Sequence, residues 1–443
     1  MNGLFFTAFG LIYSFILSTI LVFTTKSFST PIIFLILYFT LYLLKDNSRS
    51  TLYFVILSSI CVFFHFYWEQ FGNTSYFLGA MSDDWHYDIL WTSGYSEKYG
   101  LNPFYIRDFL DNIKPGLGLM HNSVGYVYLI TVFQWLGNTL DGYHTLLSRI
   151  FNVYFLVIVS HISSKIYEKL FQDHRGKNIV GLIICFFPLL SFNSFHVFRD
   201  TVVLLMIVTS FYTGLTVKKE NWYTLIKPFI ILFICCLITY YLRVGNVPLI
   251  VLTFFMATFL RFSNVNLSKV CAFAFFLCLS LIVFIYLNPK FLYVLERSVT
   301  QYNLMNTEKD NAIVASIFRS PFIISIIPRI TYLFITPVPA LFPFYQAYLA
   351  VGTLLQLMLF PYLITALKDR NVPLSIKGAF IIYLLSVAMT TLSVRHVSMF
   401  LPFMIILMVY AVTNYKLSLQ RYINNQLYLL IMILTFIIVS FVY

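Results

Sequence analysis

Long apolar runs, separated by short polar breaks, occupy most of the chain and determine its predicted secondary structure. A helix needs about 20 consecutive, mostly apolar residues to cross a bilayer, and runs of this kind recur from the beginning of the chain to its end. An outer-membrane barrel would instead show short alternating segments. Thirteen runs are predicted to be membrane-spanning helices: 4–25, 30–44, 51–67, 147–166, 179–195, 201–217, 226–242, 246–260, 270–287, 345–367, 376–393, 397–413 and 426–443.

Two further apolar stretches are poorer candidates for spanning helices. Residues 124–137 are only fourteen long, which is too short to cross the hydrocarbon core. Residues 321–344 contain five prolines, too many for one regular helix. Both stretches are therefore expected to stay at the outer surface of the membrane.

The distribution of basic residues gives the expected orientation, because cytoplasmic loops of membrane proteins are rich in Lys and Arg. With thirteen spans and the N-terminus inside, the inner loops hold 16 basic and five acidic residues, a net charge of +11, and the outer segments carry +1. If 124–137 were counted as a span, the basic cluster that extends over residues 165–177 would lie outside, against this rule. We therefore expect a cytoplasmic N-terminus, an outer C-terminus and two long outer loops, 68–146 and 288–344, with helical pieces at the membrane surface.

The composition agrees with a single all-α polytopic membrane domain over residues 1–443. The chain is 60% hydrophobic and 10% charged, whereas a soluble domain is about a quarter charged and a disordered chain has low hydrophobicity. The net charge of +12 is explained by the inner loops, so the expected surroundings are the lipid bilayer and no nucleic acid is expected as a partner. The six cysteines all lie in apolar runs and are interpreted as small core residues.

An acidic motif in the first long outer loop is the first candidate for chemistry. Asp83, Asp84, His86 and Asp88 lie within six residues and are flanked by aromatic side chains. Such a group can supply a general base or ligands for a divalent cation such as Mg²⁺ or Mn²⁺, with Asp83 and Asp84 as its ligands. The alternative is an ordinary solvated acidic turn or a helix N-cap.

Basic residues at the outer ends of several predicted spans are the second candidate. Ionisable groups at membrane depth are costly and point to function, and a guanidinium binds phosphate oxygens through two parallel hydrogen bonds. The alternative for each is anchoring at the membrane interface, which fits Arg149 best. The group consists of Arg149, Arg199 with Asp200, Arg243, and Arg395 with His396.

The order of these features resembles the GT-C superfamily of polyprenyl-phosphate-dependent glycosyltransferases, over roughly residues 80 to 413. The motifs are short, and their order along the chain carries the resemblance. In sequence they are Asp83-Asp84, Gly125-Tyr126-Val127-Tyr128-Leu129 running to Leu136-Gly137, Ser148-Arg149-Ile150-Phe151-Asn152, Pro188, Phe198-Arg199-Asp200, and Arg395-His396 followed by Pro402.

The resemblance implies an enzyme in which a loop carboxylate takes the proton of an acceptor hydroxyl and basic groups hold a departing lipid phosphate. Asp83 or Asp84 would be that base, and His86, Asp88, Arg149 and Asp200 would support the site. The phosphate of a polyprenyl-phosphate-linked or polyprenyl-diphosphate-linked glycan would be held by Arg199, Arg243, Arg395 and His396. The implied setting is cell-surface polysaccharide synthesis at the outer face of a bacterial inner membrane.

Two departures from the family leave other readings open. Three spans precede the acidic loop where the family usually has one, and no large C-terminal soluble domain follows. A Wzy-type polymerase of O-antigen or capsule repeat units is also polytopic, aromatic-rich and arginine-dependent, with two large outer loops. A flippase for lipid-linked oligosaccharide is the alternative from another class, although transporters commonly show two pseudo-symmetric halves and the sequence shows no internal repeat.

Overall fold

The computed structural model shows a helical membrane protein, and every secondary-structure element in its described part is a helix. The residues described are 2–43, 48–71, 83–113, 124–217, 222–260, 279, 286, 312–319, 322–337, 343–390 and 394–442.

Twenty α-helices are labelled here in chain order, and a π-helix, His86–Ser93, joins α4 to α5. The bounds are α1 Asn2–Thr25, α2 Ser29–Leu43, α3 Ser48–Phe71, α4 Asp83–Trp85, α5 Gly94–Tyr99, α6 Ile106–Ile113, α7 Val124–Leu140, α8 Thr145–Phe171, α9 His174–Phe186, α10 Pro188–Ser194, α11 Asp200–Thr216, α12 Trp222–Arg243, α13 Val247–Phe259, α14 Ala312–Arg319, α15 Phe322–Ile335, α16 Phe344–Lys368, α17 Leu374–Thr390, α18 Val394–Val397, α19 Leu401–Asn414 and α20 Leu419–Val442.

Several of these helices are long and apolar enough to cross a membrane. In the described residues six helices meet that requirement, or seven when the bent pair α9 and α10 is counted as one span. Five shorter apolar helices accompany them: Ser29–Leu43, Asp200–Thr216, Ile324–Ile335, Leu374–Met389 and Leu401–Asn414. The chain is therefore an all-α membrane protein, and only residues 279 and 286 of the predicted span 270–287 are among the described residues.

The apolar stretch 226–259 forms two antiparallel helices. The rings of Phe229 in α12 and Phe254 in α13 are only 5.4 Å apart between centroids. At a rise of about 1.5 Å per residue, a straight helix would separate positions 229 and 254 by roughly 37 Å. The chain therefore folds back at the 3₁₀ turn Val244–Asn246, which agrees with the two separate spans predicted from the sequence.

The helix pair α9 and α10 is bent at a proline. Helices α9 and α10 meet at an angle of 53°, and Pro188 is the first residue of α10. Proline lacks the N–H that would continue the hydrogen-bond ladder of the preceding helix. The bend turns α10 toward α16 and toward the start of α11.

Helix α7 has both of its ends at the same end of the bundle. Near its beginning, Gly125 packs against Tyr241 in the last turn of α12. Just after its end, the carbonyl oxygens of Asp141 and Gly142 accept hydrogen bonds from Ser27 in the α1–α2 turn. A 17-residue helix with this placement lies across the ends of its neighbours, as expected from its apolar length.

The proline-rich segment departs from the sequence expectation. Helix α15 packs beside the middle of α20, where Thr331 donates a hydrogen bond to the Met432 carbonyl oxygen, and the ring of Phe334 contacts Phe360 of α16 at 5.4 Å. The expectation that residues 321–344 remain at the outer surface is therefore wrong for α15, which lies inside the bundle. Pro328 is accommodated within this helix, because tertiary packing can offset the loss of one backbone hydrogen bond.

The two ends of the bundle differ in charge. One end, called the site end, carries the starts of α8 and α11 and the end of α12. The opposite end, called the basic end, carries the end of α16 and the start of α20. Its cations lie at the helix ends and in the short connections between them: Lys165, Lys169, Arg175, Lys177, Lys368, Arg370, Lys377, Lys416 and Arg421.

Gly214 allows α11 and α13 to approach closely, and its replacement tests that packing. A Cβ atom at position 214 would lie 2.5 Å from the Phe254 carbonyl oxygen and 2.9 Å from the Ala257 Cβ. We expect Gly214→Ala to lower the free energy of unfolding by about 1–3 kcal/mol, as overpacking does in other cores. The measurement is the thermal unfolding midpoint of the detergent-solubilised protein. Gly245→Ala is the control, because nothing lies within 4 Å of a Cβ there, and equal midpoints for the two variants would contradict the packing.

Candidate functional site

Asp200 is the centre of a charged group at the site end. It lies in the first turn of α11 and is only 1% exposed. Its Oδ1 is 3.3 Å from Arg243 Nη1 at the end of α12, and its Oδ2 is 3.1 Å from Arg395 Nε in α18. A carboxylate is favoured at a helix N-terminus by the helix dipole. Two cations from separate parts of the chain thus meet at one buried anion.

A third arginine lies beside this group. Arg199 immediately precedes Asp200, is buried, and donates from Nη1 to the Leu242 carbonyl oxygen at 3.0 Å. The guanidinium of Arg395 also lies over the Phe198 ring, 4.7 Å from its centroid, a favourable cation–π position. We call Arg199, Arg243 and Arg395 together with Asp200 the arginine cluster. The arginine cluster thus brings guanidinium groups from three parts of the chain to one end of the bundle.

A second group contains the acidic residues of the first long loop. Asp84 and Asp88 are both fully buried. The Asp88 carboxylate accepts hydrogen bonds from the Tyr143 and Thr145 hydroxyls, and Gln134 donates to its backbone oxygen at 3.0 Å. Burial raises the pKa of Asp88, and these hydrogen bonds and the charge of Arg149 only partly oppose that effect. The two aspartates are therefore internal groups of the fold and not part of a solvated turn.

Arg149 is the cation of this second group. Its side chain is fully buried, and Nη1 lies 3.1 Å from Nδ1 of His65 in α3. The positive charge of Arg149 lowers the pKa of Asp88 and the pKa of His144. Complete burial excludes the interfacial anchoring that fitted Arg149 best from sequence. We call Asp84, Asp88, Arg149 and His65 the carboxylate group.

Tyr126 and Asn152 connect the carboxylate group to the arginine cluster. Asn152 Nδ2 lies 3.1 Å from the Tyr126 hydroxyl, 2.7 Å from the His196 carbonyl oxygen and 3.2 Å from the Phe198 carbonyl oxygen. Burial raises the pKa of the Tyr126 phenol, and the charges of both Asp200 and Asp88 raise it further. Because Asn152 bonds both to Tyr126 and to the backbone of Phe198, which immediately precedes Arg199, the two groups are neighbouring parts of one site.

His196 is a member of the site that the sequence analysis missed. Its ring is fully buried, and Nδ1 lies 2.8 Å from the Phe192 carbonyl oxygen. A carbonyl oxygen only accepts, so Nδ1 carries the hydrogen and the neutral ring presents Nε2 as an acceptor. Nε2 is buried and has no hydrogen-bond partner among the described residues. Burial lowers the pKa of His196 to about 4, although the charge of Asp84 opposes this.

The remaining candidates have different positions. His86 is half-buried against Trp85 and Trp91, with ring centroids 5.3 and 5.4 Å away. His396 is buried next to Arg395. The side chain of Asp83 lies outside the described residues. The structure thus brings together Asp84, Asp88 and Arg149 in one group, and Arg199, Asp200, Arg243 and Arg395 in the other.

The predicted divalent-cation ligands are Asp83 and Asp84, and the Asp83 side chain lies outside the described residues. Among the described residues, no three His, Cys, Asp or Glu side chains come together in a way that could hold a metal ion. Both carboxylate oxygens of Asp88 already accept protein hydroxyl groups.

Comparisons with known proteins add no relative. No protein-family model, no curated protein and no solved structure matches this chain. The function must therefore be inferred from the arrangement of its own residues.

His144 provides a pH test of the site. Its Nδ1 accepts a hydrogen bond from the Leu146 N–H at 3.2 Å and so caps α8. Burial and the charge of Arg149 lower the pKa of His144 from 6.5 to about 4. Between these two values the unfolded chain binds a proton that the folded chain does not, so this group makes the folded state less stable as pH falls.

We expect the unfolding midpoint of wild type to fall more steeply from pH 7 to pH 4.5 than that of His144→Asn. Asparagine keeps an N-cap acceptor but does not titrate. The measurement is the thermal midpoint of solubilised protein as a function of pH. Parallel curves for the two proteins would mean that His144 is not held neutral by its surroundings.

Proposed function

We propose that this chain is a membrane glycosyltransferase that transfers sugar from a polyprenyl-phosphate-linked donor at its site end. The observation that carries the proposal is the arginine cluster, in which Arg243 and Arg395 contact the buried Asp200 carboxylate and Arg199 lies beside them. Two buried aspartates, Asp84 and Asp88, belong to the neighbouring carboxylate group. A phosphate leaving group needs cations, and a hydroxyl nucleophile needs a base. The site contains both kinds of group, and the GT-C-like order of motifs agrees with this chemistry.

In the proposed topology, thirteen helices cross the membrane, and the site end faces outward. The N-terminus is then cytoplasmic and the C-terminus outside. Support comes from the concentration of Lys and Arg at the basic end, since cytoplasmic loops carry such an excess. Helix α15 enters the bundle from the second outer loop without being counted among the thirteen.

The arginine cluster would hold the lipid phosphate. A guanidinium has five N–H donors and can bind two oxygens of one phosphate through parallel hydrogen bonds. When the bond between the anomeric carbon and the phosphate oxygen breaks, its electron pair stays on that oxygen. Cations already held in place stabilise this developing charge without first having to reorganise.

The carboxylate group would supply the proton acceptor. The acceptor hydroxyl oxygen forms the new bond to the anomeric carbon, and its proton passes to the carboxylate of Asp84 or Asp83. His196 Nε2 is placed to accept a hydrogen bond from a sugar hydroxyl, because it has no partner among the described residues. Asp88 is held by two hydroxyl groups and acts as a positioning residue for Thr145 and Tyr143.

The proposal is tested in cells that lack this gene and receive plasmid-borne variants. We expect wild type to restore surface polysaccharide, and the double variant Asp83→Asn with Asp84→Asn to restore none, because the base is lost. Arg395→Lys should reduce the product at least tenfold, because lysine cannot reproduce the two-point contact with phosphate. Arg370→Lys, an exposed arginine at the basic end, is the matched control and should behave as wild type.

Mass spectrometry of polyprenyl-linked glycans from the same cells identifies the reaction. An incomplete repeat unit accumulating in the absence of the gene is the expected result for a sugar-adding enzyme. Complete single units at the outer surface, without long chains, would replace that conclusion with a Wzy-type polymerase. Complete units trapped on the inner leaflet would contradict both enzymes and indicate a flippase. Full activity of the double aspartate variant would contradict a carboxylate base.

A further inference from the structure

A separate cavity of about 470 Å³ opens at the basic end, far from the arginine cluster. It lies where α16 ends, where the connection between α19 and α20 passes, and where α20 begins. Its lining is rich in cationic and amide side chains. The residues that line it are Thr365, Lys368, Asp369, Tyr415, Leu417, Arg421, Asn424, Asn425 and Tyr428.

The charge of this cavity favours an anion. Lys368 and Arg421 are exposed cations, and Lys368 Nζ is fixed by Tyr428, 3.0 Å from its hydroxyl and 4.3 Å from its ring centroid. Asp369 is the acidic residue of the lining, and its carboxylate already accepts hydrogen bonds from Tyr410, Tyr415 and the Asn371 N–H. Its oxygens are therefore occupied by the protein, while the cations have donors to spare.

The pKa of Asp369 agrees with this division. Burial alone would raise the pKa, but hydrogen bonds from Tyr415, the Asn371 backbone and Tyr410 and the charge of Lys377 outweigh that effect and lower it. Asp369 is thus an ionised carboxylate whose hydrogen bonds hold the end of α16 in place. Two cations against one carboxylate leave one positive charge for a ligand.

Helix α20 adds a second feature that favours a phosphate. The helix has 24 residues and begins at Leu419, so its first N–H groups and the positive end of its dipole lie beside Arg421. Helix N-termini bind phosphate for this reason. Asn424 and Asn425 in the next turn bring amide groups to the same opening.

The surface that continues from the cavity is apolar. Leu427, Ile431, Leu434 and Ile438 on α20 are between 46% and 62% exposed. In a membrane-spanning helix, such an exposed apolar face contacts acyl chains. A ligand with a phosphate at the cavity and hydrocarbon along α20 would match both parts of the surface.

We propose that this cavity binds the headgroup of an anionic phospholipid whose acyl chains lie along α20. Lys368 and Arg421 contact the phosphate, and the positive end of the α20 dipole favours its negative charge. The site is independent of the proposed glycosyl transfer, since it lies at the other end of the helices and shares no residue with it.

The test is native mass spectrometry of the full-length solubilised protein titrated with phosphatidylglycerol. We expect one lipid to be retained, and the double variant Lys368→Gln with Arg421→Gln to weaken its binding at least tenfold, because each charged hydrogen bond contributes strongly. The matched control is Arg370→Gln with Lys416→Gln, which removes the same charge from exposed residues at the same end that do not line the cavity. It should change binding less than threefold. Phosphatidylcholine should bind at least tenfold more weakly than phosphatidylglycerol.

Three results would overturn the proposal. Equal weakening by the two double variants would mean a diffuse surface charge and not a site. Equal binding of phosphatidylcholine would mean that the anionic headgroup is not recognised. Displacement of the lipid by glycerol phosphate at a comparable concentration would mean a site for a soluble phosphate. Gel filtration of each variant verifies that it is folded, and the cell-based glycan profile is expected to remain that of wild type.

Discussion

The contact of Asp200 with Arg243 and Arg395 is the constraint on which the site end depends. An ion removed from water is costly, and separating it from its partner inside a protein costs several kcal/mol. Asp200 is almost completely buried, so the start of α11 must remain beside the end of α12 and beside α18. Arg199 immediately precedes Asp200 and brings a third guanidinium group to the same end of the bundle.

The sequence predicted the outline of this arrangement from two simple rules. Apolar length located most of the helices, including the hairpin of α12 and α13. The excess of Lys and Arg on alternate connections placed Arg199, Arg243 and Arg395 at one end of the bundle. Arg199 and Asp200 could be selected because charged residues at membrane depth are rare. Their mutual contacts depend on packing between helices distant in sequence, which periodicity does not encode.

Other parts of the site had no usable sequence signal. The tautomer of His196 is fixed by its hydrogen bond to the Phe192 carbonyl oxygen. Asn152 is positioned by the carbonyl oxygens of His196 and Phe198, in the segment between α10 and α11. His65 and Arg149 are 84 positions apart and meet only because α3 packs against α8. Helix α15 was misplaced for a related reason. Five prolines argue against a regular spanning helix, but a short helix containing Pro328 can still be buried by its neighbours.

The two ends of the protein differ in how they use charge. At the site end, the carboxylates are buried and the cations buried or half-buried in two neighbouring groups, which suits the stabilisation of charge during a reaction. At the basic end, the cations are exposed at an open cavity, and the acidic residue is satisfied by tyrosine hydroxyls, which suits reversible binding of a headgroup. The two ends of the bundle therefore differ more in how deeply their charged side chains are buried than in how many they have.

Photo-crosslinking with a polyprenyl phosphate that carries a photoreactive group beside its phosphate is the most direct test of the central claim. The crosslinked peptides of the solubilised protein are located by mass spectrometry. We expect crosslinks in the segments around Arg199, Arg243 and Arg395, and their loss in the double variant Arg243→Lys with Arg395→Lys. Crosslinks confined to the basic end, or unchanged in that variant, would contradict a phosphate site at the arginine cluster.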